Sequence, residues 1–299
     1  MEKHFRRDEE NRFRTLEGDR AMSMEIRHAV SPREAKGFDT EALRRAFLVD
    51  ALFPQNDIRL VYSHYDRLIL GGALPAEREV FLPVVKETGT DHFLDRREMV
   101  IVNIGGEGQV VTLTGTYMLA RRDALYLGRG TGPVSFSSLD RSRPAKFYLV
   151  SAPAHKEIPA RLLSGPGSER IEQGDPATAS QRVTFNIVHP SIMETCQLVV
   201  GMTVLAEGSV WNSVSGELHQ RRTEAFLYFG MRPEQRVFHM MGEPAETRHL
   251  VVANEQAVLS PPWSIQAGVG TKNYAFIWAM AGDNVDERDI DPVPVEMLR

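Results

Sequence analysis

Glu217, His219 and Glu224 fall within the stretch W-N-S-V-S-G-E-L-H-Q-R-R-T-E-A-F-L-Y-F-G, Trp211 to Gly230. Carboxylate oxygens and an imidazole nitrogen can bind a divalent cation. In an extended chain the E-x-H spacing puts Glu217 and His219 on one face. Glu224 opens the next alternating run and shares its face with Phe226 and Tyr228. The spacing therefore predicts three chemically useful side chains on one cavity.

The rest of the chain has to supply the walls. A length of 299 residues admits one large domain or two ordinary ones. With 42% hydrophobic and 25% charged residues, the composition is that of a soluble globular protein. A net charge of −5 gives no reason to expect nucleic acid as a partner. No apolar run approaches the ~18 residues of a membrane span, and the N-terminus has no apolar signal core. The single cysteine, Cys196, allows no intramolecular disulfide, and with these features it points to the cytoplasm.

Residues 1–23 are charged and poor in apolar side chains, and are expected to be a disordered extension. Asp39 can cap a helix over Thr40 to Val49. Strands are then predicted over Ile58 to His64, Arg67 to Leu70, Met99 to Ile104, Gln109 to Leu113, Ala124 to Leu127, Val134 to Ser138 and Lys146 to Ser151. Gly105-Gly106 is a hairpin signal, and Thr114-Gly115 offers a second turn. From 152 to 180, prolines and glycines interrupt the pattern, so 156–180 is expected to be a linker. Strands resume at Val183 to Val188, Cys196 to Leu205, Glu224 to Phe229, Arg236 to Met240, His249 to Val252, Ala257 to Leu259 and Asn273 to Met280. Cys196, in an apolar strand, is expected to be a small buried hydrophobe.

The halves look alike. D-R-R-E-M-V-I-V-N-I-G at Asp95 matches Q-R-R-T-E-A-F-L-Y-F-G at Gln220 with one insertion, and A-K-F-Y-L-V at Ala145 matches N-Y-A-F-I-W at Asn273. The fold class read from this is all-β: two similar barrels with a few short helices, the first over 24–155 and the second, carrying the site, over 181–299. Glu98 aligns with Glu224, but no E-x-H precedes it, so the first barrel is expected to lack a metal site. The recurring Arg96-Arg97 and Arg221-Arg222 suggest a duplicated structural salt bridge.

The E-x-H-x4-E spacing resembles the first metal motif of the cupin superfamily, with Glu217 where that motif has a second His. S-P-P-W-S-I-Q, Ser260 to Gln266, resembles the second motif, with Gln266 in place of its His. The chain more widely is similar to the 5-keto-4-deoxyuronate isomerases, the 4-deoxy-L-threo-5-hexosulose-uronate ketol-isomerase family. The segments that carry this include Y-S-H-Y-D-R (Tyr62 to Arg67), R-D-A-L-Y-L-G (Arg122 to Gly128), M-E-T-C-Q-L (Met193 to Leu198), V-F-H-M-M-G (Val237 to Gly242) and G-V-G-T-K (Gly268 to Lys272). The resemblance runs from near Met24 to the C-terminus. It implies two cupin barrels, a homohexamer, and isomerisation of a uronate from pectin breakdown. It also implies zinc at Glu217, His219, Glu224 and Gln266, of which His219 and Glu224 match the family pattern.

Such a reaction moves a proton between adjacent carbons through an enediol, and needs a base and a group that holds charge on oxygen. Glu224, Glu194 and His239 are the candidate bases. Arg221, Arg222, Arg248 and Lys272 could grip the uronate carboxylate, with Tyr228 and Trp263 beside them. The Glu, His, Glu, Gln set is oxygen-rich, which leaves weakly bound zinc, a harder ion such as manganese or magnesium, or no metal. The alternatives to the isomerase are a non-catalytic sugar-acid-binding protein with two cupin barrels and a cupin enzyme of different chemistry.

Overall fold

The computed structural model describes residues 24–164, 169–283, 285–286 and 289–299. Residues 1–23, expected to be disordered, lie outside the described residues.

Among the described residues the strands form four sheets. The first contains, edge to edge, Glu25–Arg27, Ile58–Ser63, Ile69–Ala73, Phe147–Pro153, Arg97–Asn103, Ala124–Leu127 and Arg161–Leu163. Four strands, Val80–Phe81, Val134–Ser138, Gly108–Thr112 and Gly115–Leu119, close its barrel. The second large sheet contains Glu169–Gln173, Arg182–Val188, Val199–Leu205, Ala275–Gly282, Arg222–Phe229, Gln256–Ser260 and Leu48–Val49. Facing it are Glu246–Val252, Val237–Glu243, Gln266–Gly270, Trp211–Leu218 and Asp291–Val293. The five middle strands of the two large sheets follow one another in the same order, so the duplication predicted from the repeats is present.

Parity explains how the barrels join. In Arg97–Asn103, Met99 and Ile101 belong to the core of the first barrel. Val100 and Val102 join a different cluster, shared with Ala225, Leu227, Ala279 and Ala281 of the second half. Phe226, Tyr228, Phe276 and Trp278 fill the second barrel. Each large sheet thus buries one face in its own barrel and the other against its counterpart. Arg222–Phe229 is accordingly buried along its whole length. That is why these strands read as nearly continuous apolar runs.

Edges are exchanged between sheets. Asp39 caps the helix Thr40–Phe47 by accepting from the Ala42 amide at 2.8 Å. The helix stops two residues short of the predicted end because Leu48 and Val49 pair with Val258 and Ala257 of the second half. The expected linker is not structureless, since Arg161–Leu163 edges the first sheet and Glu169–Gln173 the second. Gly105-Gly106 is not a hairpin. Arg97–Asn103 and Gly108–Thr112 lie in different sheets, and the chain crosses there beneath residues 143–146. A Cβ on Gly106 would sit 1.8 Å from the Arg143 carbonyl, so the crossing needs glycine. Thr114-Gly115 does turn a hairpin. Among the described residues, no helix is long and apolar enough to cross a membrane.

Candidate functional site

The second barrel opens into a cavity of about 330 Å³. Its floor is apolar, with Phe226, Phe276, Trp278 and Met280. Glu217, His219, Glu224 and Gln266 all line it. The strand alternation that puts Phe226 inward does the same for Glu224. Glu217 is set by a bulge. The register of Trp211–Leu218 against Gln266–Gly270 shifts between Asn212 and Glu217, Ser213 takes a positive φ of 57°, and Glu217 comes to lie opposite Gln266.

Burial controls the charge here. It drives the Glu224 carboxyl well above the usual carboxylate range, and the nearby Glu217 adds to this; the Arg222 guanidinium and the Gln266 amide oppose it. Glu217 is also raised by burial, but the Arg182 guanidinium and the Ser213 hydroxyl pull it down. Burial, and then the Arg222 charge, lower His219 to about 4, so its imidazole is neutral at pH 7.

Do these residues make a zinc site? His219 Nε2 and Glu224 Oε2 are 3.7 Å apart, close to the roughly 3.3 Å between two ligands of one tetrahedral zinc. Glu224 Oε2 is buried without a hydrogen-bond partner, with the Gln266 amide beside the same carboxyl. Among the described residues, however, no three His, Cys, Asp or Glu side chains come together closely enough to hold a metal ion. One imidazole among carboxylates and an amide is also a poor match to zinc. The arrangement does not fit the four-ligand zinc centre that the resemblance implies.

Of the other predicted site residues, none lines this cavity. Glu194 is exposed and pairs with Lys156. His239 is sealed beneath the floor, its Nδ1 2.7 Å from the Tyr228 hydroxyl. Arg221 pairs with Asp289 and faces a separate surface pocket. Arg222 is fully buried, its Nη2 3.2 Å from His219 Nδ1. Arg248 pairs with Glu246, Lys272 is exposed, and Trp263 donates to the Val30 carbonyl at 3.1 Å. A charged pair at each double-arginine motif is therefore too simple. Arg97 donates to Ser151 Oγ at 3.0 Å and to the Arg67 and Ser151 carbonyls, whereas Arg221 does form an ion pair.

Sequence reasoning missed the polar wall. Arg182, Thr184 and Asn186 alternate along Arg182–Val188 and line the cavity, as do Gln173, Thr203 and Asn212. The alternation of polar and apolar residues was legible in R-V-T-F-N, but that its polar side faces inward was not.

Glu98 is not the structural counterpart of Glu224. The extra residue, Thr223, shifts the parity, so Met99 rather than Glu98 looks into the first barrel. Glu98 is fully buried on the opposite face. Its carboxylate accepts from the backbone amides of Cys196, Gln197 and Leu198 at 2.7–2.8 Å and from the Tyr126 hydroxyl at 2.7 Å. Cys196 accordingly lies in a loop and is half-buried, not in a strand, which begins at Val199.

Comparison with known proteins now decides the family. The KduI/IolB family profile matches residues 61–293. This chain belongs to that family. It is 53% identical over 274 residues to 4-deoxy-L-threo-5-hexosulose-uronate ketol-isomerase 2 of Rhizobium meliloti, covering 92% of this chain and 97% of the relative. It is 49% identical over 276 residues to the ketol-isomerase of the same name from Shouchella clausii, covering 92% and 100%. Among solved structures, an IolB-like protein from Salmonella typhimurium shares the fold at a TM-score of 0.62 and 16% identity, covering 73% of this chain and 85% of that one. The KduI/IolB assignment thus agrees with the two-barrel cupin architecture.

Proposed function

We propose that this chain is a ketol-isomerase that converts 4-deoxy-L-threo-5-hexosulose uronate into 3-deoxy-D-glycero-2,5-hexodiulosonate in the catabolism of pectin-derived uronates. The relatives of about 50% identity bear that activity in their names. The observation that carries the reading is one cavity with an apolar floor, lined by two carboxyl groups, Glu217 and Glu224.

In the reaction, a proton leaves C2 as the C1 aldehyde oxygen gains one, giving an enediol. A proton then returns to C1 and the C2 hydroxyl loses its own. Glu217, which Arg182 keeps the more acidic of the two, is the carboxylate that takes the carbon-bound proton. Glu224, whose carboxyl burial holds well above the usual carboxylate range, gives its proton to the C1 oxygen where charge develops and takes the C2 hydroxyl proton in return, while Glu217 passes its proton on to C1. The neutral His219 beside it adds a polar contact at the same place. The aromatic floor excludes water and strengthens each of these contacts.

The reading extends to a cytoplasmic homohexamer, supported by the family resemblance and by cysteine usage. The test is a coupled assay of turnover in wild type, Glu217→Gln and Glu224→Gln. Each variant should lose about 100-fold or more in kcat with its fold intact. Absence of turnover in the wild type, together with tight binding of the uronate, would favour the non-catalytic sugar-acid-binding alternative.

A further inference from the structure

We propose that Arg182 is the residue that anchors the substrate's carboxylate, and that the wall beyond it receives the sugar hydroxyls. This rests on the isomerase reading for the identity of the substrate, but it concerns a different part of the cavity. A uronate carries its carboxylate four carbons from the C2 centre where the proton is lost. The cavity must therefore recognise an anion at one end and react at the other.

Among the described residues, Arg182 is the one Lys or Arg that lines the cavity. It is half-buried at the start of its strand, and Nη1 donates to the Ser180 carbonyl at 3.1 Å. A guanidinium has five donors in a rigid fork, so this single bond leaves donors to meet a carboxylate. Partial burial removes water from the cation and makes an incoming anion worth more than at the open surface.

The neighbours of Arg182 suit the rest of a sugar acid. Gln173 is its cross-strand partner, and Thr184 and Asn186 follow on the same face. The Thr184 hydroxyl is 3.2 Å from Gln173 Oε1 and 3.1 Å from the Thr203 hydroxyl. These groups can donate or accept, as recognition of hydroxyls requires. Glu217, across the cavity, feels the Arg182 charge.

Two measurements test the anchor. The first is steady-state kinetics on the uronate for wild type, Arg182→Gln and Arg182→Lys. The glutamine variant should raise KM about 10- to 100-fold, by more than it lowers kcat, with lysine between the two. The second is calorimetric binding of galacturonate and of its uncharged counterpart, galactose, which needs no turnover. Arg182→Gln should weaken galacturonate by a similar factor and leave galactose unchanged. An equal loss for both sugars would make Arg182 a structural residue and overturn the proposal, as would an unchanged KM. If the wild type turns over no uronate yet binds galacturonate through Arg182, the anchor stands and the isomerase reading falls. If it isomerises the uronate while Arg182→Gln behaves as wild type, the reverse holds.

Discussion

At the scale of single residues, what matters is how burial divides the work between similar groups. Glu217 and Glu224 are both carboxyls in one cavity, yet one faces a guanidinium and the other lacks a hydrogen-bond partner at Oε2. The donor set also makes a statement about zinc. The purified protein should carry zinc well below one ion per chain, and the double change Glu217→His with Gln266→His should raise occupancy, read by elemental analysis. Full occupancy in the unmodified protein would show that Glu217 and Gln266 matter less than their chemistry suggests. His239 gives a pH prediction. Burial lowers it to about 3, against about 6.5 when unfolded. The folded state therefore keeps it neutral while the unfolded state binds a proton below pH 6.5. Its contribution to stability is complete above pH 6.5 and is lost as pH falls from there towards 3. Denaturation curves across this window should show His239→Gln losing up to one proton's worth of the pH slope. Residue types and spacing made Glu217, His219, Glu224 and Gln266 legible. Arg182 was not, because nothing in R-V-T-F-N says which face of its strand is inside until the barrel is closed.

At the scale of elements, a one-residue insertion decides where chemistry is possible. Thr223 gives the second barrel an inward Glu224, while its absence turns Glu98 outward into the joint between the barrels. The repeat was visible as R-R-E against R-R-T-E, but the change of face was not, since pairing register is a property of the sheet and not of the strand alone. Glu98→Ala should leave three backbone amides, that of Leu198 fully buried, and a buried tyrosine hydroxyl without their acceptor and cost about 3 kcal/mol or more in chemical denaturation. Gly201 presents the opposite constraint. A Cβ there would lie 2.0 Å from the Trp278 ring, which forms part of the cavity floor. Gly201→Ala should lower the melting temperature and disturb substrate binding together, because the indole has to move. The helix cap at Asp39 and the Thr114-Gly115 turn were readable as local signals. The edge strands Leu48–Val49 and Arg161–Leu163 were not, since their partners are distant in sequence.

At the scale of the whole molecule, two barrels of one design stand back to back, and their large sheets share an apolar cluster drawn from both halves. The first has Met99 in its core where the second has Glu224 on the cavity. Exchange of edge strands and the Glu98 joint tie the halves into one unit, and unfolding should proceed as a single transition by both fluorescence and circular dichroism. All-β class and duplication followed from periodicity and repeats; the shared core explains why so many strands looked apolar on both faces. The proposed activity depends on the chemistry of the second barrel. Its most direct test is to follow purified protein and 4-deoxy-L-threo-5-hexosulose uronate by proton NMR, beside the Glu224→Gln variant. The prediction is conversion to 3-deoxy-D-glycero-2,5-hexodiulosonate by the wild type, slowed about 100-fold or more in the variant. No conversion by the wild type, or equal rates in the two proteins, would contradict it.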